Sequence, residues 1–544
     1  MQMDVAGALP DFMRRAAVLF ETLPDLRQGA ATLRQIADSA NQPFNLAVVG
    51  RMKTGKSTLI NSLAERELAV VGVEEATATI NWFCHGEGTQ PNQFIVHWKD
   101  GRAESFPVER LKTDWTGKSE EVKARVEKAA RLQLFSDAPR LREMQIIDTP
   151  GTGSAVEAHE VGAMGFLNPD VFEQSAAEGN KADAILYVVG AVGRESDLEN
   201  LELFRSGRTQ NSGPYNSVCV IHKWDALEAA DPALEAVKKA GRLMEQLSDT
   251  VAKVIPVSGP IALAARVAPK EFFERLLDVT STTGEAEFER GLKMERRWNE
   301  DERRAGIRGC FAGLPWASFT LIARQLRGIL AGDVSAARKR CLDYSRIAEL
   351  EKFIEDQFFS QRAIIKRCQL LEKTNRVYTP SIKTIETEAE RLAEDYRNAG
   401  RAAATFKSYS PDLSKWMAAK AADWKQRSEQ LQKEMISLDE DWQDHCEELE
   451  GLHMDLRVSE AMAHETGVFP SEHHHQIRAL CDHLATRERR SQMGSSNVTS
   501  LLELQRLIDF YRAKLSHASR KHQPLLEHVV RRLEEAHHQV SEGN

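Results

Sequence analysis

A chain of 544 residues is too long for one hydrophobic core, and ordinary domain sizes predict about two to four domains. With 42% hydrophobic and 28% charged residues, the composition excludes a disordered or fibrous chain. The net charge of -9 excludes a dedicated nucleic-acid binder, which would carry a basic excess, so no nucleic-acid partner is expected.

Seven scattered cysteines without a CxxC pair suit free thiols in a reducing compartment rather than a disulfide framework or a zinc site. The first residues do not read as a signal peptide, since Asp4, Asp11, Arg14 and Arg15 interrupt the apolar positions. No apolar run reaches the roughly 18–20 residues that span a bilayer. A cytoplasmic chain is expected, at most peripheral at the cytoplasmic face of the membrane.

In chain order, residues 11–39 carry apolar positions at helical spacing (Phe12, Ala16, Leu19, Phe20, Leu33, Ile36), and Pro43 ends that pattern. Short apolar runs then predict strands at 44–49, 80–84, 94–98, 144–147, 184–189, 218–221 and 254–257. Asp100-Gly101 marks a hairpin turn between Trp98 and Phe106. Helical patterns separate most of the other strands, which implies an α/β unit with a mainly parallel sheet covered on both faces. Beyond about residue 270 the strand signal stops. Residues 346–359 read as one amphipathic helix, and nearly everything from 360 onward as long helix. The clearest begins at Ser410-Pro411 and runs through Leu413, Met417, Trp424, Leu431, Met435, Leu438, Trp442 and Leu449, with Gly451 as its expected end. Pro470, Gly494–Asn497 and Pro524 mark further turns or helix starts. An antiparallel helical bundle or stalk accounts for this half.

Gly50-Arg51-Met52-Lys53-Thr54-Gly55-Lys56-Ser57 satisfies GxxxxGK[ST] directly after the strand ending at Val49, and Thr58 continues it into a helix. Backbone amides of such a loop wrap phosphates, and the helix N-terminus adds a favourable dipole. Lys56 neutralises β- and γ-phosphates, and the Ser57 hydroxyl ligates magnesium. Asp148-Thr149-Pro150-Gly151 follows a strand about 90 residues later. Asp148 stands there as the magnesium-side carboxylate, with the Gly151 amide facing the γ-phosphate. His222-Lys223-Trp224-Asp225 closes another strand. A carboxylate at Asp225 accepts from the N1–H and exocyclic amine of guanine, whereas adenine presents the wrong pattern. Lys223 covers the ring with its aliphatic stem. The usual form of this motif is [NT]KxD, and His222 departs from it. Val257-Ser258-Gly259, after the strand 254–257, is placed to bring a backbone amide near O6 of the base. Between the loop and Asp148, Thr77 is preferred to Thr79 as a further magnesium ligand, because Thr79 suits the start of a strand.

These residues carry a resemblance. Phe44–Asn61, with Lys53 and the run Lys56-Ser57-Thr58-Leu59-Ile60-Asn61, resembles the P-loop of bacterial dynamin-like proteins. Residues 71–79 resemble their switch I without its usual proline, and Asp148–Gly151 and Ile221–Asp225 match the later guanine-nucleotide motifs. The resemblance implies an α/β P-loop GTPase domain at 41–270, and a helical extension completing it and a neck at 271–360. It also implies an elongated all-α bundle or stalk at 361–544, with the N-terminal helical segment 1–40 packing on the neck or stalk. GTP and GDP with Mg2+ are the implied cofactors, and GTP hydrolysis the implied activity. Lys53, Lys56 and Thr77 are its implied catalytic residues, since no glutamine follows Gly151; Met52 stands where eukaryotic dynamins carry a polar residue. The implied partners are a second copy through the GTPase domains, a second dynamin-like protein, and a membrane surface, the last coupled to membrane remodelling. A regulatory switch whose helices dock a protein, and a coiled structural protein with a vestigial site, are the competing readings. Arg487–Arg490 with Met493 is a candidate lipid contact, equally explained as a solvated helix end. His473–His475 reads as exposed histidine rather than a metal site, and Trp416, Trp424 and Trp442 as core or interface residues.

Overall fold

The structure is a computed structural model that describes residues 8–40, 42–50, 53–66, 80–88, 90–115, 119–142, 144–148, 182–191, 214–248, 250–311, 313–464, 468–484 and 501–542. The chain divides into two compact units, residues 43–360 and residues 1–42 with 361–544.

The first unit is built on a nine-stranded mixed sheet: β1 Phe44–Gly50, β2 Ile80–His85, β3 Gln93–Trp98, β4 Ala103–Pro107, β5 Ala129–Ser136, β6 Met144–Asp148, β7 Ala184–Gly190, β8 Ser217–His222 and β9 Lys253–Val257. Their order is β4-β3-β5-β2-β6-β1-β7-β8-β9. Strands β6, β1, β7, β8 and β9 run parallel side by side, whereas β2–β6, β3–β4 and β3–β5 pair antiparallel. All seven residues of β1 are buried, as expected of a strand between parallel neighbours with both faces covered. The hairpin at Asp100-Gly101 forms as its turn residues predict, with Gly101 in the left-handed region at φ 87°.

Strand β5 was not legible in the sequence. The helix Glu120–Lys128 runs into it without a breaking residue, and Arg131 and Gln133 interrupt any simple alternation. After β9 the unit continues in helices, among them Gly259–Val267, Lys270–Thr282, Trp316–Gln325 and Val334–Ser345. Residues 346–359 are not one α-helix: Ile347–Phe353 passes into a π-helical turn, Ile354–Phe359. The apolar face anticipated there is nonetheless buried, at Ile347, Leu350, Ile354, Phe358 and Phe359.

The second unit is helical throughout its described residues. The N-terminal pattern is two helices, Ala8–Glu21 and Arg27–Ser39, divided where Pro24 begins a short 3-10 turn. Helices Arg362–Phe406 and Pro411–His464 form a long antiparallel hairpin. Gly451 does not end the second of them, contrary to the sequence expectation. The helix carries on to His464, and the Arg532 guanidinium lies 3.1 Å from where a Cβ at Gly451 would sit, so the glycine makes room for a packed neighbour. The 54-residue helix is about 80 Å long at 1.5 Å per residue. Trp442 is core, stacked on Phe12 at 5.3 Å and 5.2 Å from Tyr378. Trp424 is half-buried, and Trp416 is 54% exposed. His473 meets the Tyr511 hydroxyl at 3.1 Å and His474 the Phe469 carbonyl at 2.9 Å. Among the described residues no helix is long and apolar enough to cross a membrane. The segments 485–500, with the Arg487–Arg490 and Gly494–Asn497 expectations, lie outside the described residues.

Buried charges tie this unit together. Asp455, fully buried, accepts from Arg532 at 2.7 Å and meets His528 at 2.6 Å, while Arg367 reaches both oxygens of Glu448 at 3.0 Å. Removing one member of such a group leaves the other charges desolvated without a partner. Asp455→Ala is therefore expected to destabilise the helical unit by about 3–5 kcal/mol, read by denaturant unfolding of the full chain. Glu388→Ala, at the exposed ion pair with Arg391, is the comparison and should change stability little; equal effects would contradict this account.

Candidate functional site

In an open α/β sheet the ligand crevice lies outside the carboxyl ends of the parallel strands. Here the strand registers bring the sequence motifs to that edge. Val48 of β1 lies beside Asp148 at the end of β6, and Gly50 beside Val188 of β7. Gly190 ends β7 beside His222, which in turn sits beside Val257 at the end of β9. The carboxyl ends of β1, β6, β8 and β9 therefore share one rim.

The glycine-rich segment of the GxxxxGKS motif leaves β1 at Gly50 and enters the helix Lys56–Ala64. Lys56 is buried, and its ammonium donates to the Gly50 carbonyl at 3.0 Å. Burial pushes its pKa below the usual range, opposed by the nearby Asp148 carboxylate. Lys53 holds a left-handed backbone at φ 67°, as does Lys223 at φ 58°. Neither is glycine, so each conformation is costly and persists only because its surroundings hold it. The two are joined directly, since Lys223 Nζ donates to the Lys53 carbonyl at 2.9 Å. Thr54 is buried, and Ser57 and Thr58 are half-buried at the helix start.

Asp148 is 2% exposed, and burial lifts its carboxyl to about 6 against the opposing pull of Lys56 and Ser57. Ser57 Oγ lies 3.4 Å from Asp148 Oδ2, a long contact, while Oδ1 is buried with no hydrogen-bond partner among the described residues. A desolvated carboxylate oxygen left without a donor beside a hydroxyl fits a hard divalent cation with oxygen ligands.

His222 supplies a connection that the sequence did not reveal. Its ring is fully buried, its Nδ1–H donates to the Thr54 carbonyl at 2.9 Å, and its Nε2 accepts from the Gly259 amide at 3.1 Å. One ring proton satisfies both contacts, so the neutral Nδ1–H tautomer is the one that fits. Burial drives its pKa down to about 4. Two glycines are shaped to this ring. A Cβ at Gly55, whose φ is 96°, would lie 2.4 Å from Nδ1, and one at Gly259 2.2 Å from Nε2.

Asp225 is 5% exposed, and each of its oxygens accepts a serine hydroxyl at 2.6 Å: Oδ1 from Ser258 and Oδ2 from Ser318. Here the sequence expectation for Ser258 is corrected. Its amide does not point free into the crevice but donates to the Ser345 carbonyl at 3.0 Å. The Gly259 amide is taken by His222, residue 260 is proline, and the Ile261 amide caps back onto Ser258 Oγ at 3.4 Å. What Ser258 offers is its hydroxyl. Ser318, on the helix Trp316–Gln325, carried no sequence signal, since it lies 93 residues from Asp225 in no motif. Arg51, Met52, Thr77, Thr79 and Gly151, all named from the sequence, lie outside the described residues.

With this geometry in place, residues 46–224 match the profile of the dynamin family. The isoniazid-induced protein IniC of Mycobacterium tuberculosis is 30% identical over 271 residues, 46% of this chain and 51% of that protein. Dynamin-like protein 2 of Campylobacter jejuni is 25% identical over 201 residues, 37% of this chain and 29% of its own length. The probable transmembrane GTPase FZO-like of Arabidopsis thaliana is 22% identical over 259 residues, 46% of this chain and 24% of its own. The chain thus spans about half the length, or less, of these curated relatives.

Two outcomes follow from the His222 ring. Gly259→Ala should cost about 1–3 kcal/mol by overpacking, and much less in a His222→Ala background, as a double-mutant cycle by denaturant unfolding would show. Strict additivity would contradict the contact. Because the folded pKa is near 4 and the unfolded one near 6.5, this group's stabilisation is complete above pH 6.5 and lost as pH falls toward 4. His222→Asn should flatten the stability–pH curve in that window by up to about 1.4 kcal/mol per pH unit.

Proposed function

We propose that this chain, which carries a dynamin-family domain at residues 46–224, binds GTP or GDP with Mg2+ and hydrolyses GTP. The observation that carries the reading is the shared rim: Lys56, Ser57 and Asp148 at one end, Asp225 at the other, on the carboxyl ends of neighbouring parallel strands. A relative whose name includes GTPase supports it.

The residues divide the work. Amides of the Gly50–Thr58 loop cradle phosphates, and Lys56 exchanges its bond to the Gly50 carbonyl for phosphate oxygens. Ser57, Asp148 and Thr77 would hold magnesium, which when bound neutralises charge on the β–γ bridge. Lys223 lies across the loop and covers the base, while Asp225 accepts from the guanine N1–H and amine. Lys53 and Thr77 position the attacking water, and the Gly151 amide faces the γ-phosphate. Hydrolysis is coupled to assembly of two GTPase domains across their nucleotides, with a second dynamin-like chain as a further partner. A peripheral contact with the cytoplasmic face of a membrane places the work there.

The test is phosphate release per molecule against protein concentration, with and without anionic liposomes. Specific activity should rise with concentration, and Lys56→Ala should lower it at least about 100-fold. Slow release independent of concentration and lipid would instead favour a switch that docks a protein, and activity indifferent to Lys56→Ala would overturn the site.

A further inference from the structure

The 46–224 match stops one residue short of Asp225, and the groups that hold this carboxylate come from beyond it. Ser258 follows β9. Ser318 belongs to the helix Trp316–Gln325, in the helical stretch after the sheet. That stretch also reaches the loops after β8 and β9: Tyr344 packs edge-on against Trp224 at 5.3 Å, and the Ser345 carbonyl accepts the Ser258 amide at 3.0 Å.

Ser318 is fully buried. Its hydroxyl has a conspicuous acceptor, since 2.6 Å to an ionisable oxygen is the length of a charge-assisted bond. A carboxylate oxygen takes more than one donor, so a serine on each oxygen leaves lone pairs free. With both oxygens held, the carboxylate cannot swing about its Cβ–Cγ bond, and the free lone pairs keep one fixed direction. A base that donates two parallel N–H groups needs that fixed plane. A base donating one needs it less.

We infer that Ser318 is a positioning residue for base selection, locking the Asp225 carboxylate in the plane that accepts both the N1–H and the 2-amino group of guanine. The helical stretch after the sheet therefore takes part in nucleotide specificity. This rests on the reading of Asp225 as the base-selecting group. Loss of Ser318 frees Oδ2 and lets the carboxylate turn, which penalises a two-donor base more than a one-donor base.

The experiment compares equilibrium binding of GTP, inosine triphosphate and ATP to the full chain with magnesium. Hypoxanthine keeps the N1–H and lacks the 2-amino group. The wild type should prefer GTP to the inosine nucleotide by about tenfold or more, and Ser318→Ala should cut that ratio about fivefold or more. Ser318→Thr, which keeps a hydroxyl, should restore it relative to Ser318→Ala. A merely structural role would weaken both nucleotides alike, so an unchanged ratio in Ser318→Ala overturns the inference. Should Ser318→Ala fail to fold, Ser318→Cys, a near-isosteric and weak donor, is expected to show the same loss, and an unchanged ratio there overturns it equally. A wild type that binds ATP as well as GTP would instead remove the reading of Asp225 itself.

Discussion

The imidazole of His222 joins two loops that leave different strands of the sheet. Strand β7 separates β1 from β8, and the ring at the end of β8 spans from the Thr54 carbonyl in the phosphate loop to the Gly259 amide after β9. A neutral ring with one proton satisfies both, and the ring is fully buried. The lysines add a second link, with Lys223 Nζ donating to the Lys53 carbonyl, and both residues hold left-handed backbone. The loop after β1 and the loop after β9 are therefore fastened together through side chains of the His222–Asp225 segment.

The two buried carboxylates of the rim are held in opposite ways. Asp225 has a hydroxyl on each oxygen, which orients it at the cost of buried polar atoms that must all be paired. Asp148, at the end of β6, is short of donors among the described residues, with Oδ1 unpartnered and Oδ2 at 3.4 Å from Ser57. A satisfied carboxylate is a template and an unsatisfied one is an acceptor waiting for a cation. That contrast, within one rim, fits the proposed ligand, a base at one end and a magnesium-bound triphosphate at the other.

Much of this was legible in the sequence because the chemistry is local there. GxxxxGKS is contiguous, the buried parallel strands are plain apolar runs, and each motif follows its strand directly. What escaped was set by distance or by neighbours. Strand β5 hides behind a helix that enters it without a break. Gly451 reads as a stop until Arg532, far along the chain, is seen packed over it. His222 stood out as a departure from the usual motif, but its two partners lie 168 and 37 residues away. Ser258 was expected to offer an amide, and a carbonyl from residue 345 takes that amide instead. Ser318 has no local pattern at all.

The central claim is that Asp225, held by Ser258 and Ser318, selects guanine. Titration calorimetry of the full chain with magnesium tests it most directly, comparing GTP, ATP and xanthosine triphosphate on the wild type and on Asp225→Asn. The account predicts that the wild type takes GTP and not ATP, and that Asp225→Asn loses GTP and gains the xanthine nucleotide, whose 2-oxo group accepts from an amide where guanine's amine donates to a carboxylate. ATP bound as tightly as GTP, or an Asp225→Asn chain that still prefers GTP, would contradict it.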